Sequence, residues 1–169
     1  MKKSESNINL FYTMISLENK AVYEVIIQYL LELGYTPVKK RTKGFILSFI
    51  NPLHNRVIAR FGVREDGESF FGLRFSSVEN YSEKFNDVVR RRVLSKNNRI
   101  AKCSECNYCK GSRFVYTYIF EDGTTSAACG AFVLDIPDVS HNDIDEIKSL
   151  IKQQHEYFTT HAIYKAPEK

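Results

Sequence analysis

Three cysteines stand in the run Cys103-Ser-Glu-Cys106-Asn-Tyr-Cys109, and the fourth and last cysteine of the chain, Cys129, follows twenty residues later. The C-x2-C-x2-C spacing lets short loops aim three sulfurs at one point. A returning hairpin would bring Cys129 in as the fourth ligand of a tetrahedral ion. The expectation is a structural zinc centre on Cys103, Cys106, Cys109 and Cys129. Lys110-Gly111 after the third cysteine and Gly130 after the fourth suit it, because glycine permits the positive φ or the close approach that such loops need. Four thiolates leave zinc no open position for water, so the site would be structural.

Two rivals follow from the same spacing. A [4Fe–4S] cluster also opens on C-x2-C-x2-C, but the C-P that would follow three residues on is replaced by Lys110, Gly111, Ser112 and Arg113. A thiol switch closing Cys106 onto Cys109 ranks third. Clustered thiols belong in a reducing interior, which makes the cytoplasm the expected location. The chain opens on Met1-Lys-Lys-Ser-Glu-Ser-Asn with no apolar stretch behind it, so no secretory signal is expected. There is no apolar run near eighteen residues and no membrane span is expected.

The charge is uneven. From Arg90 to Arg113 eight cations (Arg90, Arg91, Arg92, Lys96, Arg99, Lys102, Lys110, Arg113) face Glu105 alone, a net +7, so the rest of the chain sums to −3 against the overall +4. This surface could meet phosphates, with Tyr108 and Phe114 near enough in sequence to stack on bases. The favoured reading is different: arginines at a helix end complement its dipole, and cations around a zinc tetrathiolate offset its charge near −2. Nucleic-acid binding is therefore the alternative function and not the first.

The periodicity gives an α+β domain. Ile8 to Ile15 reads as a short strand behind a disordered tail, with Leu10, Tyr12 and Met14 alternating. Leu17 to Leu33 reads as a helix capped by Ser16 and closed by Gly34, its stripe made of Val22, Ile26, Tyr29, Leu30 and Leu33. Four β-branched and aromatic segments follow, Thr36 to Lys40, Phe45 to Ile50, Arg56 to Val63 and Phe70 to Ser76. Hairpin-type connections join them into an antiparallel meander. Arg56, Ile58 and Arg60 alternate with Val57, Ala59 and Phe61, which suggests a wet face or an edge. Asn80 with Glu83 has capping-box spacing for a second helix carrying Tyr81, Phe85, Val88, Val89 and Val93. Beyond the polar loop Ser95 to Lys102 and the cysteines, Arg113 to Phe120 and Thr124 to Ile136 form a hairpin about Asp122-Gly123. Ser140 and Asp143 cap a last helix with Ile144, Ile147, Leu150, Ile151 and Phe158 inside. Phe114, Tyr116, Tyr118 and Phe120 share one face of the hairpin, to be covered by that helix.

The chain is expected to form a single domain over 1–169. Residues 1–97 make a helix–meander–helix core, and 98–169 make the cysteine hairpin and C-terminal helix. The four histidines, His54 in a turn, His141 and His155 in the last helix and His161 in the tail, form no catalytic signature. No nucleophile–base pair can be read, so an enzyme is the third choice. From Lys102 to Phe158 the chain resembles a group of small uncharacterised bacterial proteins. The resemblance rests on Cys103 to Gly111, Phe114 to Phe120, Asp122-Gly123, Cys129-Gly130, Ser140 to Asp145 and Gln154-His-Glu-Tyr157-Phe158. It covers about a third of the chain and implies a metal-binding module without an activity. The function expected is a zinc-stabilised binding or regulatory domain whose partner is a small molecule or a protein.

Overall fold

A computed structural model describes residues 3–96 and 114–161. The cysteines at 103, 106 and 109, the cations at 99, 102, 110 and 113, and Tyr108 lie outside the described residues. The elements are α1 (Lys3–Thr13), α2 (Leu17–Glu32), β1 (Thr36–Lys39), β2 (Phe45–Asn51), β3 (Arg56–Val63), β4 (Ser69–Leu73), α3 (Glu83–Val93), β5 (Val115–Ile119), β6 (Thr125–Cys129), β7 (Leu134–Asp135) and α4 (Ile144–Thr160). The fold is α+β, with an antiparallel five-stranded sheet in the order β1-β2-β3-β4-β7 and a separate two-stranded sheet of β5 and β6.

The core explains the order of the strands. Phe45, Leu47 and Phe49 of β2 lie opposite Val63, Phe61 and Ala59 of β3, and Phe61 and Ala59 lie opposite Phe71 and Leu73 of β4. These positions recur at period two and are all buried, so three strands offer one apolar face. Phe11 of α1 stacks on Phe45 with ring centroids 6.2 Å apart, and Tyr23 of α2 meets Phe61 edge-on at 5.3 Å. Each fully buried ring contributes ~1.5–3 kcal/mol of transfer energy, which is how two helices are held on this face.

Several expectations change at this level. Ile8 to Thr13 is helix, not strand, and Met14 and Ile15 form the turn after it. Ile8 and Phe11, one helical turn apart, are buried, while Leu10 and Met14 are 47% and 43% exposed. The alternation of residues 10, 12 and 14 therefore carried no information about burial. The tail residues from Lys3 belong to the same helix. β3 is a central strand, and of its supposed wet face Ile58 is fully buried while Arg60 is exposed. The helix after the meander begins at Glu83, with Ser82 rather than Asn80 in the cap position, and Ser82 N–H donates to Glu146 Oε1 at 2.6 Å. The long return strand Thr124 to Ile136 is two strands. β6 ends at Cys129, and β7 crosses to the main sheet, where Leu134 lies opposite Leu73 and Ile136 N–H donates to the Phe71 carbonyl.

α2 follows its sequence signals. Ser16 accepts from Asn19 N–H at 3.1 Å, and Gly34 takes the left-handed φ of +84° that ends the helix. The C-terminal helix is entered through a single 3-10 turn with a full capping box between Ser140 and Asp143. Its expected stripe, Ile144, Ile147, Leu150, Ile151 and Phe158, is buried throughout. α3 rather than α4 packs along the β5–β6 hairpin; α4 lies against α2 and β3 and reaches the hairpin region through Tyr157, which meets Phe114 at 4.2 Å.

Candidate functional site

Cys129 closes β6, directly opposite Val115, the first residue of β5. Tyr116 and Ala128 make the neighbouring pair and point inward, both buried, so the alternation of the strands turns Cys129 to the other face, where it is half-buried. The position is held from three sides. Gly130 approaches Phe114 so closely that an added Cβ would sit 2.1 Å from the Phe114 carbonyl oxygen. Ser76 Oγ donates to the Gly130 carbonyl at 2.8 Å. Tyr116 Oη donates to the Phe132 carbonyl at 2.8 Å while accepting from Phe75 N–H at 3.2 Å. Close approach, and not a left-handed φ, is what requires glycine after the fourth cysteine. Burial raises the Tyr116 phenol well above its usual range, with Phe75 N–H and Arg74 acting against that. The phenol therefore stays a neutral donor. Among the described residues no group of three or more His, Cys, Asp or Glu side chains is arranged around an ion; of the four cysteines Cys129 alone is described, and the other three fall outside.

Arg90, Arg91 and Arg92, the described arginines of the basic window, are engaged within the fold. Arg90 Nη1 and Arg91 Nη2 each lie 3.2 Å from an oxygen of Asp87, one helical turn back. The Arg92 guanidinium sits 3.5 Å from the centroid of the Phe132 ring. Arg90, Arg91 and Arg92 form the last turn of α3, where cations complement the helix dipole. Arg90 and Arg91 thus share the one carboxylate of Asp87, which offsets a single charge, and Arg92 packs against Phe132 after β6. This arrangement favours a structural role for the triplet.

A second polar cluster escaped the sequence reading. The β2–β3 turn is fixed by Asn51. Its Oδ1 accepts from Leu53 N–H at 2.9 Å, its Nδ2 donates to the Leu33 carbonyl at 3.1 Å, and Asn55 adopts a left-handed φ of +53°. That turn drives His54 inward until it is 8% exposed. Arg56 N–H donates to His54 Nδ1 at 3.3 Å, which leaves the ring proton on Nε2. His54 Nε2 lies 3.4 Å from Tyr35 Oη, and Tyr35 Oη lies 3.2 Å from Nδ1 of His155 on α4. With Nε2–H donating to the phenol, the Tyr35 hydroxyl donates onward to His155. The first link is at the outer limit of hydrogen-bond geometry. This tautomer also argues against an ion between the rings, since Nε2 has no lone pair to give.

The chain Arg56–His54–Tyr35–His155 is roofed by Phe158, whose ring lies 4.9 Å from His54. The guanidinium carbons of Arg74 and Arg56 lie 4.8 and 5.2 Å from the same ring. Burial, then the neighbouring His155, Arg56 and Arg74, lower the His54 pKa to about 4. Burial also lowers His155, against the pull of Glu156. Tyr35 is raised by burial, against Arg74. One position along, Gln154 is fully buried and its Oε1 accepts from Ser77 N–H at 3.0 Å, next to the serine that holds Gly130. His161, expected in the tail, instead closes α4, half-buried with Nδ1 2.9 Å from the Tyr157 carbonyl. A sequence signal for the cluster existed. Positions 154 and 155 fall on the same helical face as Leu150, Ile151 and Phe158, and a polar pair on a buried stripe demands partners.

No family model, curated protein or solved structure matches this chain, so the chemistry rests on its own residues. No helix among the described residues is long and apolar enough to cross a membrane.

Proposed function

We propose that the chain is a small zinc-stabilised binding or regulatory domain, with one Zn²⁺ held by the thiolates of Cys103, Cys106, Cys109 and Cys129. The observation that carries this reading is the register of the hairpin. Cys129 pairs with Val115, and Val115 follows Cys109 by six residues. Antiparallel partners stand ~4.5–5.5 Å apart, and six residues reach at most ~20 Å, so the chain tethers the three-cysteine run within reach of the fourth thiol. The anchoring of Gly130 by Ser76 supports a fixed fourth ligand, since metal sites are more exact on rigid strands than on loops. A four-thiolate site would serve as a cross-link between the hairpin and the run at 103–109. The ligand of the domain would be a small molecule or a protein, in a reducing compartment such as the cytoplasm.

The test is metal analysis by mass spectrometry on protein purified without added metal. About one equivalent of zinc is expected, as a tetrahedral thiolate site requires. In Cys129→Ser, loss of that zinc and of hydrogen-exchange protection in β5 and β6 is expected. Iron with a broad absorbance near ~400 nm would replace zinc with the cluster reading. Full zinc retention in Cys129→Ser, or no metal in the wild type, would refute the proposed ligand set.

A further inference from the structure

We infer that the C-terminal half of α4 is a pH-operated latch, closed on the sheet by the Arg56–His54–Tyr35–His155 hydrogen-bond chain at neutral pH and opened when His54 takes up a proton. The geometry sets the direction. His54 Nδ1 accepts the Arg56 amide proton, so protonation puts a hydrogen on both ring nitrogens and sets Nδ1–H against Arg56 N–H. The link lost lies inside the turn, so what acts on α4 is the cation created in a nearly closed space beside Arg56, Arg74 and His155.

The groups facing that cation come from every element around it. Tyr35 precedes β1, Arg56 opens β3, Arg74 follows β4, and α4 presents His155 and Phe158. Arg56, Arg74 and His155 each disfavour a proton on His54. Glu156 opposes the effect at His155 alone. Phe158 offers the new cation a ring face, but the guanidinium carbons of Arg74 and Arg56 already lie 4.8 and 5.2 Å from its centroid. The least disruptive response is for α4 to carry His155 and Phe158 away from the turn. Its N-terminal half has a separate hold, through Ile144, Ile147, Leu150 and Ile151. The opening is therefore local.

The sign follows from linkage. The latched state holds the His54 pKa at about 4, against 6.5 for a free imidazole, so the unlatched state binds more protons between those values. Latching is complete at neutral pH, weakens as pH falls below about 6.5, and levels off below about 4. Arg56 and Arg74 stay beside His54 in the open state, so between pH 7 and pH 4.5 the latched-to-open ratio should fall by at most about 60-fold from His54 alone. His155 adds in the same direction.

Hydrogen exchange at pH 7 and pH 4.5, corrected for the pH dependence of amide chemistry, tests this on the whole chain. The expected result is a fall in protection over residues 154–160 of up to about 60-fold, with β2 and β3 unchanged. His54→Gln keeps a polar group near the Nε2 position without titrating, and most of the pH effect should disappear in it. Equal protection at both pH values, loss spread evenly into β2 and β3, or an undiminished effect in His54→Gln would overturn the latch. Should that variant not fold, NMR titration of the wild-type His54 ring decides, since a midpoint near 6.5 would also overturn it.

Discussion

Tyr116→Phe removes one oxygen and leaves the ring volume unchanged, so no cavity term complicates the result. That oxygen is the clamp between the hairpin and the main sheet. It takes the Phe75 amide proton at 3.2 Å and gives its own to the Phe132 carbonyl at 2.8 Å, in a side chain 2% exposed. Phe75 follows β4, and its amide has no strand partner to fall back on. Two hydrogen bonds at about 1 kcal/mol each are lost, and a buried donor stranded without a partner costs ~1–3 kcal/mol further. Half-buried Phe132 can recover some of this from water, which sets the expected loss at about 2–4 kcal/mol. Urea unfolding followed by circular dichroism reads it directly. With a slope near ~2 kcal/mol per molar, the midpoint should fall by roughly 1–2 M at unchanged slope. Tyr118→Phe is the matched control: the half-buried ring packs on Phe120 at 4.9 Å and should stay within ~0.5 kcal/mol of wild type. A Tyr116→Phe loss no larger than that of the control would show that the hydroxyl holds nothing together.

Two further perturbations test neighbouring claims. Gly130→Ala places a methyl 2.1 Å from the Phe114 carbonyl oxygen and 3.0 Å from Ser76 Cβ, so thermal unfolding should show a loss of at least ~1–3 kcal/mol; unchanged stability would mean that the hairpin can part there freely. Asp143 accepts from Ser140 N–H at 2.8 Å and from Lys84 Nζ at 2.7 Å, and Asp143→Ala should cost ~1–2 kcal/mol as a lost cap. Burial would raise the Asp143 carboxyl, but the bonds from Lys84 and Ser140 outweigh it and hold it below its usual range. Its stabilisation is therefore present above about pH 4 and lost as pH falls further. Asp143→Asn should flatten the stability profile in that lower window and leave the pH 6.5-to-4 window of His54 intact.

The parts of the fold legible in the sequence are those set by neighbours a few residues apart. Ser16 and Gly34 bracket α2 because a cap needs a side-chain acceptor three residues before the amide it binds and a left-handed residue after the last turn. The four meander strands are legible because burial on one face writes a period of two. α1 is not, because its one buried face is narrow (Ile8 and Phe11) and its exposed Leu10 and Met14 mimic a strand. What makes it a helix is the shelf of rings on β2 and β3 that receives Phe11. The division of residues 124–136 into β6 and β7 was hidden for the same reason, since it depends on a free edge of β4 that no local pattern records.

The two candidate sites divide along that line. The proposed metal site on C-x2-C-x2-C rests on short-range spacing, so its candidate ligands can be proposed before any fold is known. The His54–Tyr35–His155 chain joins residues 19 and 120 positions apart, and none of its members belongs to a motif. Yet it too follows from a physical demand. Leu150, Ile151 and Phe158 commit one face of α4 to the interior, and Gln154 is carried in with them fully, His155 in part. Polar groups drawn inward look for partners: Gln154 Oε1 takes the Ser77 amide proton while its Nε2 stays unpaired among the described residues, and the half-buried His155 imidazole meets Tyr35. Packing alone would have placed apolar residues at both positions and a steadier helix end with them. The polar choice makes the docking of α4 depend on protonation, which an apolar stripe could not do.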